Sequence, residues 1–254
     1  MLEKYNNDLL SLIYKTEMEK KTYNIVVTIK PWNINFFKKN IKKLNGNWIL
    51  ITQPSKFTLK KLKDIKVKNI YFVHWSKIVP NKIFNKYNCI SFHMTDLPYG
   101  RGGSPLQNLI IRGKKNTKIS AFKLNNKIDG GPIYLKKNLK LNGSAEEIFK
   151  RSVKIVFGMI KEIIKKKLKP KPQKSSKISF KRLTKKDNNL DFKKIKSLNE
   201  LYDKIRMVDA PGYPDAYSKI NNFTLNFYNA KKVKNILYSS VKIIFQKKNL
   251  NKNL

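Results

Sequence analysis

This 254-residue chain has little cysteine, histidine, arginine or acid, and each shortage narrows what it can be. A single cysteine, Cys89, excludes an internal disulfide and fits a reducing compartment, so a cytoplasmic protein is expected. No apolar run approaches the roughly 18 residues that a membrane span needs. No basic segment followed by an apolar one opens the chain, so no signal peptide is expected. No metal site is read from the sequence. Sixteen acidic residues stand against 56 basic ones, a formal net charge of +40. Only five of the basic residues are arginine: Arg101, Arg112, Arg151, Arg182 and Arg206. The rest are lysines spread from end to end among Asn and Ile, which reads as compositional drift of the whole chain. A nucleic-acid reader more often gathers Arg and aromatics on one face. Whatever its origin, the charge attracts anions, less so as salt rises.

What is present is a core's worth of apolar residues, 41% of the chain, enough for one medium domain or one with a small companion. Apolar β-branched runs alternate with amphipathic stretches, the signature of βαβ units around a parallel sheet. Strands are predicted over 24–29, 48–52, 69–75, 89–93, 118–124 and 133–141. Helical spacing covers 35–44 and 57–65, with a helical turn at 81–87. Pro105 suits the first turn of a helix that Gly113 stops. Ser144 and Glu147 form a capping box ahead of a long apolar-periodic helix. Pro170-Lys171-Pro172-Gln173 with Ser175-Ser176 cannot continue that helix and reads as a linker. The expectation is a catalytic domain over 1–169, a linker over 170–178, a small β-rich domain over 179–246 and a frayed tail over 247–254. Within the β-rich part a helix is predicted over 197–208, a Pro/Gly turn at 211–214, and short strands over 216–220, 224–228, 236–239 and 241–245.

The chain has two histidines, and one of them, His93, ends the fourth predicted strand, where open α/β sheets place their ligands. It is followed by Leu97-Pro98-x-x-Arg101-Gly102-x-x-Pro105, and 36 residues after it comes Asp129-Gly130-Gly131-Pro132. A strand-end histidine or an Asp-Gly-Gly turn alone is more often structural. Their joint spacing is not easily met by accident. An imidazole titrating near neutrality can move a proton or steady a developing charge, and a carboxylate beside it can orient it and hold its charged form. Gly130 and Gly131 would let the backbone approach a flat ring closely.

This constellation resembles the formyltransferase family that uses 10-formyltetrahydrofolate, whose signature is Asn-x-His, then Leu-Pro-x-x-Arg-Gly-x-x-Pro, then Asp in a Gly-containing loop. The likeness runs well over residues 45–168 and again from 179 to 231, where Arg206 and Pro211-Gly212-Tyr213-Pro214 match the family's C-terminal barrel. It implies a Rossmann-like, mostly parallel α/β sheet with flanking helices and a small β-rich C-terminal domain. It implies His93 and Asp129 as the catalytic pair, with Ser91 standing where the family has Asn. It implies that His74, Trp75, Ser76, Ile78, Val79, Pro80, Asn126, Ile128 and Gly130 surround the folate. Asp96, Arg101 and Gly102 become candidate substrate contacts. The implied reaction is formyl transfer from 10-formyltetrahydrofolate, with no metal, to a primary amine. Three acceptors fit the family: an amino-sugar nucleotide, initiator methionyl-tRNA and a small purine-pathway amine. The purine enzymes lack a second domain. The tRNA enzymes are longer, with an extended basic loop after the first strand, where this chain has only Lys30-Pro31-Trp32-Asn33. The expected acceptor is therefore an amino-sugar nucleotide, a small molecule. Methionyl-tRNA is the alternative, and nucleic acid is a possible but not favoured partner. A catalytically degenerate, basic, nucleic-acid-binding relative is a further alternative, motivated by Ser91.

Overall fold

A computed structural model of the chain describes residues 21–174 and 178–245. The tail expected over 247–254 lies outside the described residues, as do residues 175–177 of the expected linker. A six-stranded sheet has the order β2-β1-β3-β4-β6-β7, formed by β1 (Thr22–Val27), β2 (Asn47–Ile51), β3 (Lys66–Phe72), β4 (Cys89–His93), β6 (Asn116–Lys123) and β7 (Ile133–Lys140). The first four strands run parallel, with Ile25 in register with Ile49 and Ile70, and Phe72 with Ser91. β6 is antiparallel to β4 and sets Ser120 opposite His93 and Phe122 opposite Ser91. Parallel strands are covered on both faces, so they read as unbroken apolar runs. Ile25, Val26 and Val27 are fully buried, and so are Ile70 and Tyr71.

Helices sit where the sequence spacing puts them, with shifted ends. Pro31 opens α1 (Pro31–Asn40), so only Thr28 to Lys30 link it to β1. Proline at the first helical position has no N–H to leave unsatisfied. Phe36 and Phe37 of α1 meet Phe157 edge-on at 5.5 and 6.0 Å. α2 (Leu59–Lys63) and α3 (Asn81–Phe84) bury Leu62 and Ile83 in a cluster with Ile25, Val27, Phe57 and Phe72. α5 (Ala145–Lys165) starts at the expected capping box: Glu147 Oε2 accepts from Ser144 N–H at 2.8 Å, and Glu147 N–H donates to Ser144 Oγ at 3.3 Å.

The described residues divide into two compact units. One comprises the residues up to His93, Ile119–Lys137 and 153–174; the other comprises Met94–Lys118, Asn138–Ser152 and 178–245. In the second unit, α4 (Pro105–Ile111) precedes β8 (Ser179–Phe180), α6 (Leu198–Arg206) and an antiparallel sheet of β9 (Ala216–Ile220), β10 (Phe223–Val233) and β11 (Ile236–Phe245). The two short strands expected over 236–239 and 241–245 are one strand, because Ser240 pairs with Tyr228 and the ladder resumes with Tyr238 opposite Lys231. The irregularity falls instead in β10, between Tyr228 and Lys231, where Asn229 has φ 52°. Arg206 is buried and ties this unit together. Its Nε donates to Asp203 Oδ1 at 2.6 Å, and its Nη1 donates to the carbonyls of Leu141 at 2.6 Å and Gly143 at 2.8 Å.

Replacing Arg206 by Met would leave the Asp203 carboxylate and two carbonyls without their donor. Breaking a buried pair in this way typically costs about 3–5 kcal/mol. Urea unfolding of Arg206→Met is expected to show a loss of that order, partly recovered in the Arg206→Met/Asp203→Leu double variant. Equal stability of wild type and single variant would refute the role given to Arg206.

Candidate active site

His93 closes β4 at its carboxyl end and is 7% exposed. Successive strand residues point to opposite faces, so Ser91 and His93 share one face of the sheet. The loop after β6 brings Asp129 to His93, with Nδ1 and Oδ2 3.5 Å apart. Asp129 has φ 47°, the left-handed region that Asp tolerates better than most residues. Asn125 Oδ1 accepts from Lys127 N–H at 3.0 Å and Gly130 N–H donates to Lys127 carbonyl at 3.1 Å, so the loop is a tight turn. A Cβ on Gly131 would be driven into the Lys123 carbonyl oxygen. Only glycine lets the chain pass there, and Lys123 N–H donates to Pro132 carbonyl at 2.9 Å beside it. Gln173, read from sequence as linker, donates from Nε2 to the carbonyls of Asp129 at 2.9 Å and Gly131 at 2.6 Å.

The segment expected to meet the folate leaves β3 earlier than predicted: the strand stops at Phe72, so His74 and Trp75 lie in the turn beyond it. His74 has φ 47°. Its Nδ1 faces Asn33 Oδ1 at 3.1 Å and the Trp32 indole N–H at 3.4 Å. Asn33 spends its amide hydrogens on Thr28 Oγ1 at 2.9 Å and the Val73 carbonyl at 3.2 Å, which turns its oxygen toward His74. In the neutral ring, Nδ1 donates to Asn33 Oδ1 in one tautomer and accepts from the Trp32 indole N–H in the other. Burial, with the nearby Lys30 charge, pushes the His74 pKa down to about 3. Local pattern does not mark this Thr28–Trp32–Asn33 cluster, because Trp32 and Asn33 reach His74 and Val73 across 42 and 40 residues.

Trp75 packs against Phe57 and Phe72 at 6.1 and 6.0 Å, while its Nε1 is buried and makes no hydrogen bond among the described residues. Ser76 and Pro80 are exposed, and Val79 belongs to the core cluster. Ile78 is 94% and Ile128 78% exposed, unusual for side chains of their size. Asn126 is exposed and Gly130 half-buried.

The three candidate substrate contacts belong to the second unit. Asp96 is 2.9 Å from Lys118 Nζ, a half-exposed pair. Arg101 and Gly102 form the short β5 (Arg101–Gly102), which pairs with β8. Gly102 has φ 106°, and a Cβ there would strike the Phe180 carbonyl oxygen. Among the described residues no group of three or more His, Cys, Asp or Glu could hold a metal, and no helix is long and apolar enough to cross a membrane.

The formyl transferase family pattern matches residues 51–153, and the pattern of the methionyl-tRNA formyltransferase C-terminal domain matches residues 177–244. A methionyl-tRNA formyltransferase structure from Clostridium thermocellum is 42% identical, covers 88% of this chain and 99% of its own, and superposes with TM-score 0.84. The methionyl-tRNA formyltransferase of a Sulfurihydrogenibium species is 27% identical over 204 residues. That match takes in 76% of this chain but only 63% of the relative. A sugar N-formyltransferase from a Shewanella species shares the fold, with TM-score 0.62 at 17% identity over 91% of this chain and 99% of its own.

The low His74 pKa has a measurable consequence. Above about pH 6.5 the ring is neutral in both folded and unfolded chains and contributes no pH dependence. Between 6.5 and about 3 the unfolded chain binds a proton that the folded chain refuses, so stability falls as pH falls. Urea unfolding at pH 7.5 and 5.5 is expected to show a smaller acid loss for His74→Gln than for wild type. Equal losses would contradict the assignment.

Proposed function

The chain belongs to the formyltransferase family, and on that premise we propose that it transfers the formyl group of 10-formyltetrahydrofolate to the amino group of methionyl-tRNA. The observation that carries the chemistry is the His93–Asp129 pair at the end of β4. The acceptor rests on the 42% identity to the Clostridium thermocellum protein over nearly its whole length. This turns the reading away from the amino-sugar nucleotide expected from the sequence.

The loops suit such a donor. A buried donor without a partner costs about 1–3 kcal/mol, and an acceptor atom on a bound ring would answer Trp75 Nε1. Ile78 and Ile128 offer apolar surface that a flat ring would cover. When bound, the donor supplies the formyl carbon, to which the amine nitrogen bonds as the bond to the folate nitrogen breaks. Asp129 faces Nδ1 of His93 and orients the ring, which leaves Nε2 to take the proton from the attacking amine and return it to the leaving folate nitrogen. Ser91, on the same face, donates its hydroxyl hydrogen to the formyl oxygen as charge builds there. Donors in that position are worth about 2.7–4 kcal/mol.

The amino-sugar reading keeps one observation in its favour: only Thr28 to Lys30 join β1 to α1, the short connection from which a small acceptor is expected. Purified protein with 10-formyltetrahydrofolate would be offered methionyl-tRNA and a panel of amino-sugar nucleotides at physiological salt. Formyl-methionyl-tRNA is the expected product. Formylated sugar alone would overturn the tRNA acceptor, and no formyl product on any amine would overturn the transfer itself. In the active pairing, His93→Ala is expected to lower turnover by about 10²–10⁴-fold with an unchanged melting curve. Ser91→Ala should be slower than wild type and Ser91→Asn equal or faster. An indifferent Ser91→Ala would remove Ser91 from the chemistry.

A further inference from the structure

We propose that Gln173 is a positioning residue, a strap that holds the Asp129 loop in the geometry that presents its carboxylate to His93. The inference rests on His93 and Asp129 being the catalytic pair. Asp129 sits at φ 47° in a loop whose exit at Gly131 grazes the Lys123 carbonyl. A left-handed non-glycine residue persists only where its surroundings over-determine it. The turn bond from Gly130 to Lys127 fixes the entrance of that loop but not its far side.

The far side is fixed by the segment that follows α5. Lys171 and Ile133 exchange both backbone hydrogen bonds, at 2.7 and 2.8 Å, as an isolated antiparallel bridge. The next rung of such a ladder would pair residue 173 with residue 131. The side chain of Gln173 occupies that rung, and its single NH2 group reaches two carbonyls, Gly131 and Asp129. Pro170 and Pro172 flank Lys171. Each fixes φ and removes a backbone donor, so the strap is stiff. A primary amide is the side chain for this task, since two hydrogens on one planar nitrogen can serve two acceptors at once. A segment that sequence reads as a spacer thus takes over part of the catalytic geometry.

Two variants test this. Gln173→Leu keeps the bulk and deletes both donors; Gln173→Lys restores hydrogens on a flexible stem. Misplacing a catalytic group by about 1 Å can cost on the order of 100-fold in rate. Gln173→Leu is accordingly expected to lower kcat by about 10–100-fold, with KM for 10-formyltetrahydrofolate within about twofold of wild type. Gln173→Lys should recover part of the loss. In an Asp129→Asn background, Gln173→Leu should add little, because both changes act through one carboxylate. Hydrogen exchange of residues 125–132 reads the strap independently of any reaction and is expected to quicken in Gln173→Leu while the strands of the sheet keep their protection. Unchanged exchange in that loop would overturn the strap. Faster exchange with unaltered kcat, or a loss fully additive with Asp129→Asn, would overturn its positioning role. Absence of formyl transfer by the wild type would count against the proposed reaction instead, and the exchange result would stand.

Discussion

Everything at the candidate site follows from one close passage of backbone against backbone. The chain leaving the Asp129 turn crosses the end of β6 so tightly that the Lys123 carbonyl occupies the space where a side chain at position 131 would begin. Glycine is obligatory there, and the Lys123 N–H to Pro132 bond closes the same crossing from the other side. Once the crossing is made, the Lys127–Gly130 turn and the Gln173 side chain hold the loop that stands Asp129 beside the buried His93. The cost is one left-handed residue, and Asp is among the few that accept it. The geometry of the candidate pair is a by-product of how a loop is forced to leave a strand.

The parts of this arrangement that sequence reveals are those written in local pattern. His93 at a strand end, Pro105 at a helix start, Ser144 and Glu147 as a capping box, and the apolar runs of β1 and β4 all depend on neighbours a few residues away. The parts it hides are contacts between side chains and distant backbone. Gln173 looks like any polar residue in a proline-rich spacer, and its two acceptors lie 42 and 44 residues earlier. His74 is legible as a strand-end histidine, yet its low pKa comes from burial and from the charge of Lys30, which lies just beyond another strand. The single strand over 236–245 is hidden because two serines look like a turn, although Ser240 pairs with Tyr228 and the ladder resumes with Tyr238 opposite Lys231.

The charge of the chain bears on the acceptor more than on the fold. Surface pairs such as Lys150 with Glu146 and Lys166 with Glu162 stand in water and are weakened by salt, so they contribute little to the fold. Glu162, set between Lys137 and Lys166, is held down to about 2, which keeps it ionised without making it a structural anchor. With 56 basic residues and 16 acidic ones, most lysines remain as a diffuse positive field. Such a field speeds encounter with a polyanion and fades with salt, whether or not that polyanion is a substrate. Binding to RNA therefore says little about the acceptor, and only a formylated product identifies it.

The central claim is that a carboxylate fixed beside His93 drives formyl transfer. Its most direct measurement is a single-turnover comparison of wild type with Asp129→Asn, which keeps the shape of the side chain and removes its charge. The account predicts that donor binding is retained while the formyl-transfer rate falls by about 10²–10⁴-fold, the span of a lost acid–base function. An Asp129→Asn rate equal to that of wild type would contradict it.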